Sequence, residues 1–147
     1  MTPVGDWPAS AAGNALRFQD SYPARPDSVS AIRRALERFA RSCKIPRETV
    51  EAVTLAVSEA ATNVVVHAYR DLEQPGRIEV AAAVAADELW VIITDRGSGM
   101  RPRTDSPGLG LGLAIIAQMA DGVDLLKPAD GGLELRMRFA LAGSGGA

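Results

Sequence analysis

Residues 77–94 read Arg77-Ile78-Glu79-Val80-Ala81-Ala82-Ala83-Val84-Ala85-Ala86-Asp87-Glu88-Leu89-Trp90-Val91-Ile92-Ile93-Thr94. Two runs rich in β-branched and apolar residues, 77–84 and 88–94, meet at Ala86-Asp87, which predicts two strands and a tight turn. A connection that short joins only antiparallel neighbours, because a parallel pair needs a crossover of a dozen residues or more. The middle of the chain therefore predicts an antiparallel sheet.

Working outward, 15–22 alternates apolar and polar residues around Leu16 and Phe18 and predicts a strand ended by Pro23 and Pro26. Asp27 or Ser28 is placed to cap a first helix that turns Val29, Ile32, Leu36, Phe39 and Ala40 inward. Pro46 suits the first turn of a second helix, with Glu48 and Glu51 near its positive end, running through Val53, Leu55, Val57 and Ala60 to about Ala68. Pro75-Gly76 is a turn before the hairpin. Beyond it lie a glycine-rich stretch over 97–112 and a third helix over 113–120, stopped by Asp121-Gly122. A last strand pair, 123–127 and 133–141, folds around Asp130-Gly131-Gly132. Pro, Gly, Ala and Ser dominate 1–14, and 142–147 is similar, so both are expected to be frayed tails around one domain at 15–141. The order strand, helix, helix, strand, strand, helix, strand, strand predicts an α+β fold. Its form is a two-layer α/β sandwich with a mostly antiparallel sheet covered by helices on one face. It does not fit the regular βαβ alternation of a Rossmann fold.

With 147 residues, 47% hydrophobic and 23% charged, the chain can bury one core and is not composed like a disordered tail. A formal net charge of −2 gives no reason to expect a direct nucleic-acid partner. The lone Cys43 cannot form an internal disulfide, which points to a reducing cytoplasm and to a thiol that simply packs. No apolar run reads as a membrane span, and 1–13 lacks the basic-then-apolar pattern of a signal peptide.

Three places carry candidate chemistry. On the second helix, Glu59, Asn63 and His67 are spaced by four and share one face. A carboxamide oxygen is a suitable hard ligand for Mg²⁺, and a nearby carboxylate can take a proton from an attacking hydroxyl or water. A solvated polar face, with His67 capping or packing near the helix end, is the plainer alternative. Second, Asp95-Arg96-Gly97-Ser98-Gly99 follows a strand directly. A strand-end carboxylate can accept from an exocyclic amine such as that of adenine, with glycines letting backbone approach a flat ring; an ordinary turn is the alternative. Third, Gly108-Leu109-Gly110-Leu111-Gly112 opens a helix, where exposed N–H groups can hold phosphate. It is not a P-loop, since no Gly-Lys-Ser/Thr follows.

Taken in this order, the three motifs resemble the GHKL ATPase superfamily with its Bergerat-type ATP-binding fold, which includes gyrase-like ATPases and histidine-kinase catalytic domains. Within it the chain looks most like the anti-sigma-factor serine/threonine kinases of bacteria. Their first motif, Glu-x-x-Thr-Asn-x-x-x-His-Ala-Tyr, is matched at Glu59, Thr62, Asn63, His67, Ala68 and Tyr69. The resemblance extends from about Ala15 to Ala140.

The resemblance implies a Mg-ATP-dependent kinase that phosphorylates a small antagonist protein and sequesters a sigma factor. Asn63 then holds Mg²⁺ and Glu59 is the general base. His67 belongs to the same nucleotide motif, and Asp95 reads the adenine amino group. Gly97 and Gly99 line the adenine pocket, and the backbone of Gly108, Leu109, Gly110, Leu111 and Gly112 holds phosphates. It also implies a homodimer. A lid over 100–107 carries Arg101 and Arg103, which either reach the γ-phosphate or a partner, or are solvated. Two features depart from the family pattern: the lid is short, and Gly131-Gly132-Leu133 stands where a Gly-Thr is common. Both leave room for the alternative of a module that binds ATP and regulates by contact. A histidine-kinase fragment is disfavoured, because the only histidine is His67 and no dimerising hairpin is expected before the domain. A gyrase-type hydrolase is disfavoured for want of a transducer domain.

Overall fold

The computed structural model describes residues 16–68, 76–95, 107–127 and 132–141. The expected tails and the lid residues 100–106 lie outside them. In chain order the elements are β1 (Leu16–Pro23), α1 (Pro26–Ser42), α2 (Arg47–Asn63) continued by a π-helical turn (Val64–Ala68), β2 (Arg77–Ala85), β3 (Glu88–Asp95), α3 (Pro107–Met119), β4 (Gly122–Leu126) and β5 (Leu133–Ala140). The strands form one sheet in the order β1-β2-β3-β5-β4, and every neighbouring pair is antiparallel.

The β2–β3 hairpin turns where the sequence predicts. Ala85 pairs with Glu88, and the two linking residues, Ala86 and Asp87, take φ of 53° and 61°. Two consecutive left-handed residues match the twist of the flanking strands. Leu141 then donates its N–H to the Asp87 carbonyl at 2.9 Å, tying β5 to the turn.

Alternation along each strand sends one set of side chains to the helices. Ile78 and Val80 of β2, Leu89, Val91 and Ile93 of β3, and Leu135, Met137 and Phe139 of β5 are buried there. They meet Ile32, Leu36 and Ala40 of α1 and Val53, Val57 and Ala60 of α2. Alanines at 56, 60 and 61, all buried, keep the middle helix slim enough to pack between α1 and α3. On the opposite sheet face Arg136 Nε donates to Glu134 Oε2 at 2.5 Å, a buried pair. There too Arg138 reaches Glu88 at 2.9 Å and lies over the Trp90 ring.

Helix ends depart from the sequence reading in three places. Neither Asp27 nor Ser28 caps α1, which begins at Pro26 after an extended Arg25. The ring-fixed φ of proline suits the first helical position, where its missing N–H costs nothing. Ser28 lies inside the first turn and donates its hydroxyl to the Pro23 carbonyl. Pro46 stands one place before α2, not in its first turn. Third, α3 starts at Pro107, so Gly108–Gly112 lies inside the helix and not in a loop before it. At its other end α1 closes with Lys44 at φ 60°, the Ile45 N–H on Ala40 O and the Lys44 N–H on Arg41 O. These paired bonds satisfy the last carbonyls and start the reversal into α2.

The stretch Arg47–Val66 is long and apolar enough, by length and composition, to pass for a membrane span, which the sequence reading did not anticipate. Its apolar residues Val50, Val53, Val57 and Ala60 are packed into the core, and exposed Glu48 and Glu51 stand on its outer side.

Candidate functional site

Helix α2 delivers the first candidate group. Glu59 is half-buried and Asn63 is only 7% exposed, one turn and about 6 Å further along the axis. Immediately after Asn63 the hydrogen bonding loosens into the π turn Val64–Ala68. The four-residue register therefore holds from Glu59 to Asn63 and is not continued to His67, whose backbone lies in that turn. The side chain of His67 lies outside the described residues, as does Tyr69. Single π turns inside helices are rare and cluster at functional sites.

The Asn63 carboxamide faces α3. A Cβ built on Gly112 would lie 2.8 Å from Asn63 Nδ2 and 3.0 Å from Oδ1, closer than side chains tolerate. Only a bare Cα lets the second turn of α3 rest on that amide. A carboxamide held at this contact can offer its oxygen to a ligand. Its oxygen is a hard donor of the kind Mg²⁺ accepts. No group of three His, Cys, Asp or Glu side chains converges among the described residues. Mg²⁺ commonly takes few protein ligands and keeps several waters besides substrate oxygens, so a single carboxamide oxygen is compatible with it.

Starting α3 at Pro107 changes which amides are free. A helix leaves the N–H groups of its first turn unpaired. Pro107 has none, so Gly108 and Leu109 present them, while the N–H groups of Leu111 and Gly112, in the second turn, are taken up within the helix. The end suited to an anion is thus the first turn, with the helix dipole behind it.

Asp95 ends β3 on the helix-facing side, between Ile78 of β2 and Leu133 of β5, and is 1% exposed. Its Oδ2 is buried and receives no hydrogen bond, although Asp95 is engaged through other interactions. An acceptor in that position fits an incoming amine. Gly132, just before β5, has φ +84°, and a Cβ there would come within 2.3 Å of the Asp95 carbonyl oxygen. The chain closes over Asp95 at that glycine, a role the sequence reading missed, although it marked Gly132 in the Asp130-Gly131-Gly132 turn and in the Gly131-Gly132-Leu133 departure from the family pattern. In the same cross-strand row, burial pushes the Tyr22 phenol up, reinforced by nearby Asp20 and opposed by Arg38. It stays neutral near pH 7.

The structure thus brings Asn63 against Gly112, one helical turn from Glu59, and places Asp95 beneath Gly132 at the end of the central strand. Gly97, Gly99, Arg101 and Arg103 lie outside the described residues.

The model of the histidine kinase-like ATPase domain matches residues 22–139. The chain is 35% identical over 88 residues to the serine-protein kinase RsbW of Bacillus licheniformis, covering 60% of this chain and 54% of that protein. It is 32% identical over 118 residues to the serine-protein kinase RsbW of Listeria monocytogenes, covering 70% of this chain and 74% of that protein. The chain spans about half the length of several of the curated relatives it matches. Among solved structures, the RsbU and RsbW domains of a Mycobacterium tuberculosis protein superpose with a TM-score of 0.68 at 21% identity. That match covers 85% of this chain and 32% of the other.

Proposed function

This chain belongs to the histidine kinase-like ATPase domain family, in its RsbW-like serine-protein kinase branch, and from that premise we propose that it is a Mg-ATP-dependent protein-serine/threonine kinase acting as an anti-sigma factor. The observation that carries the reading is the buried Asn63 carboxamide seated on Gly112, one turn from the half-buried Glu59. That arrangement sets a hard oxygen donor and a base on one helix, with free amides of a second helix nearby.

In this reading Asn63 Oδ1 would hold Mg²⁺, whose chemistry there is to neutralise charge on the phosphates. The Gly108 and Leu109 N–H groups would bind phosphate oxygens, and Asp95 would accept from the adenine amino group. The acceptor hydroxyl oxygen bonds to the γ-phosphorus as the bond to the β–γ bridging oxygen breaks. Its proton passes to the Glu59 carboxylate, and ADP leaves. Phosphoryl transfer asks mainly for such positioning and charge neutralisation. The acceptor is a small antagonist protein, whose phosphorylation decides which partner the kinase holds; the other partner is a sigma factor. We further propose that the protein works as a homodimer in the cytoplasm.

The test is Glu59→Ala. Calorimetry should show Mg-ATP binding unchanged, while label transfer to the acceptor protein falls by roughly 10²–10⁴-fold, the usual worth of a general base. Equal labelling by wild type and variant overturns the base assignment. ATP binding by the wild type without any transfer supports regulation by contact instead.

A further inference from the structure

The helices pack on one face of the sheet, and among the described residues no helix or strand lies on the other. Alternation gives that second face Ala81, Ala83, Ile92, Thr94, Glu134 and Arg136. Buried Ala83 and Ala85 and the 4% exposed Ile92 stand outside the core shared with the helices. Glu134 is 1% exposed and Arg136 8%. A sheet surface open to water does not enclose charged side chains to that extent. One chain by itself buries them, so their cover belongs to the same chain.

The chain outside the described residues narrows the choice. Residues 69–75 and 96–106 each have one end in the helix layer, and 128–131 only link the neighbouring strands β4 and β5. Residues 142–147 are all Ala, Gly or Ser, whereas 1–15 include Met1, Val4 and Trp7. We propose that residues 1–15 fold back across this face as a strap, with Trp7 seated over the region of Ile92 and Glu134. On β2 the small side chains of Ala81, Ala83 and Ala85 floor a trough. Arg17 and Gln19 of β1 stand on one side of it, and Trp90 and Ile92 of β3 on the other. The trough opens at the end of the sheet where Leu16 begins β1, beside Val84. Glu134 is three strands across from there and five residues further along, or about 14 Å by about 17 Å. The diagonal of about 22 Å takes about seven extended residues at about 3.3 Å each. Counted back from Leu16, that length brings Trp7 and Pro8 to the spot. Two buried atoms on this face, Trp90 Nε1 and Glu134 Oε1, have no hydrogen-bond partner among the described residues. An extended strap carries the carbonyl and N–H groups that such atoms take. The strap also closes this face to a second copy, so self-association uses another surface.

The experiment reads Trp7 fluorescence in the full chain. The protein has two tryptophans, so Trp90→Phe leaves Trp7 as the only one. Its emission should lie to the blue of the same tryptophan in a synthetic peptide of residues 1–15, and acrylamide should quench it several-fold less. Both readings should be independent of protein concentration. Adding Ala83→Arg, which fills the trough, should return both to the peptide values; Ala81→Arg, at a less enclosed position, does the same work if the first variant does not fold. Peptide-like emission and quenching in the Trp90→Phe protein overturn the strap and leave 1–15 as a frayed tail. Protection that grows with concentration overturns it in favour of a second copy. Protection that survives both arginines places Trp7 elsewhere and overturns it too.

Discussion

At Gly112 two effects of similar size oppose each other. Alanine in a helix interior is favoured over glycine by about 1 kcal/mol. The added Cβ would meet the Asn63 amide at 2.8 Å, and forcing a group into filled space costs about 1–3 kcal/mol. The side chain can yield more easily than two packed helices can, so the carboxamide moves and the fold survives. Gly112→Ala should therefore keep its melting temperature within a few degrees while the Kd for Mg-ATP rises at least about ten-fold, as calorimetry would read it. A variant that binds normally would mean that Asn63 is not a ligand. Cys43 settles on its plain reading at this scale. Burial pushes its thiol up, only partly offset by a hydrogen bond involving Ser42, so it remains protonated and unreactive near neutral pH.

Among the elements, strands and the β2–β3 hairpin were legible because alternation and a two-residue link are local signals. The start of α3 was not. Three glycines in five residues argue against a helix on propensity, yet contact with α2 repays that deficit by letting the two backbones approach at Gly112. The π turn after Asn63 left no sequence mark either, since Val64-Val65-Val66 reads equally well as ordinary helix. Gly132 belongs here because it lets β5 enter the sheet beside Asp95. With φ +84° and a Cβ only 2.3 Å from the Asp95 carbonyl oxygen, alanine meets both backbone strain and a backbone clash. Gly132→Ala should cost about 2–4 kcal/mol in denaturant unfolding. A loss under 1 kcal/mol would show that the strand end can shift without penalty.

Across the whole molecule the candidate ligands come from α2, β3 and α3, so ligand binding and folding are linked. Mg-ATP at about one hundred times its Kd should add about 2.7 kcal/mol to the stability of the folded state. For a domain of this size that raises Tm by about 8 °C. Asn63→Ala should erase most of the increase while the melting of the free protein changes little. An equal shift in wild type and variant would place the nucleotide elsewhere. The sequence by itself determined the kind and order of the elements and the inward face of the first helix, and it marked Glu59, Asn63 and Asp95 as candidates whose roles only the order of the three motifs and the family resemblance suggested. The elements follow from periodicity and side-chain chemistry acting over a few residues. Only the tertiary structure decided that β5 slots between β3 and β4, that Asn63 rests on Gly112 and that Gly132 closes over Asp95. Each is a contact between residues distant in the chain, and local preference carries no information about which distant surfaces will fit.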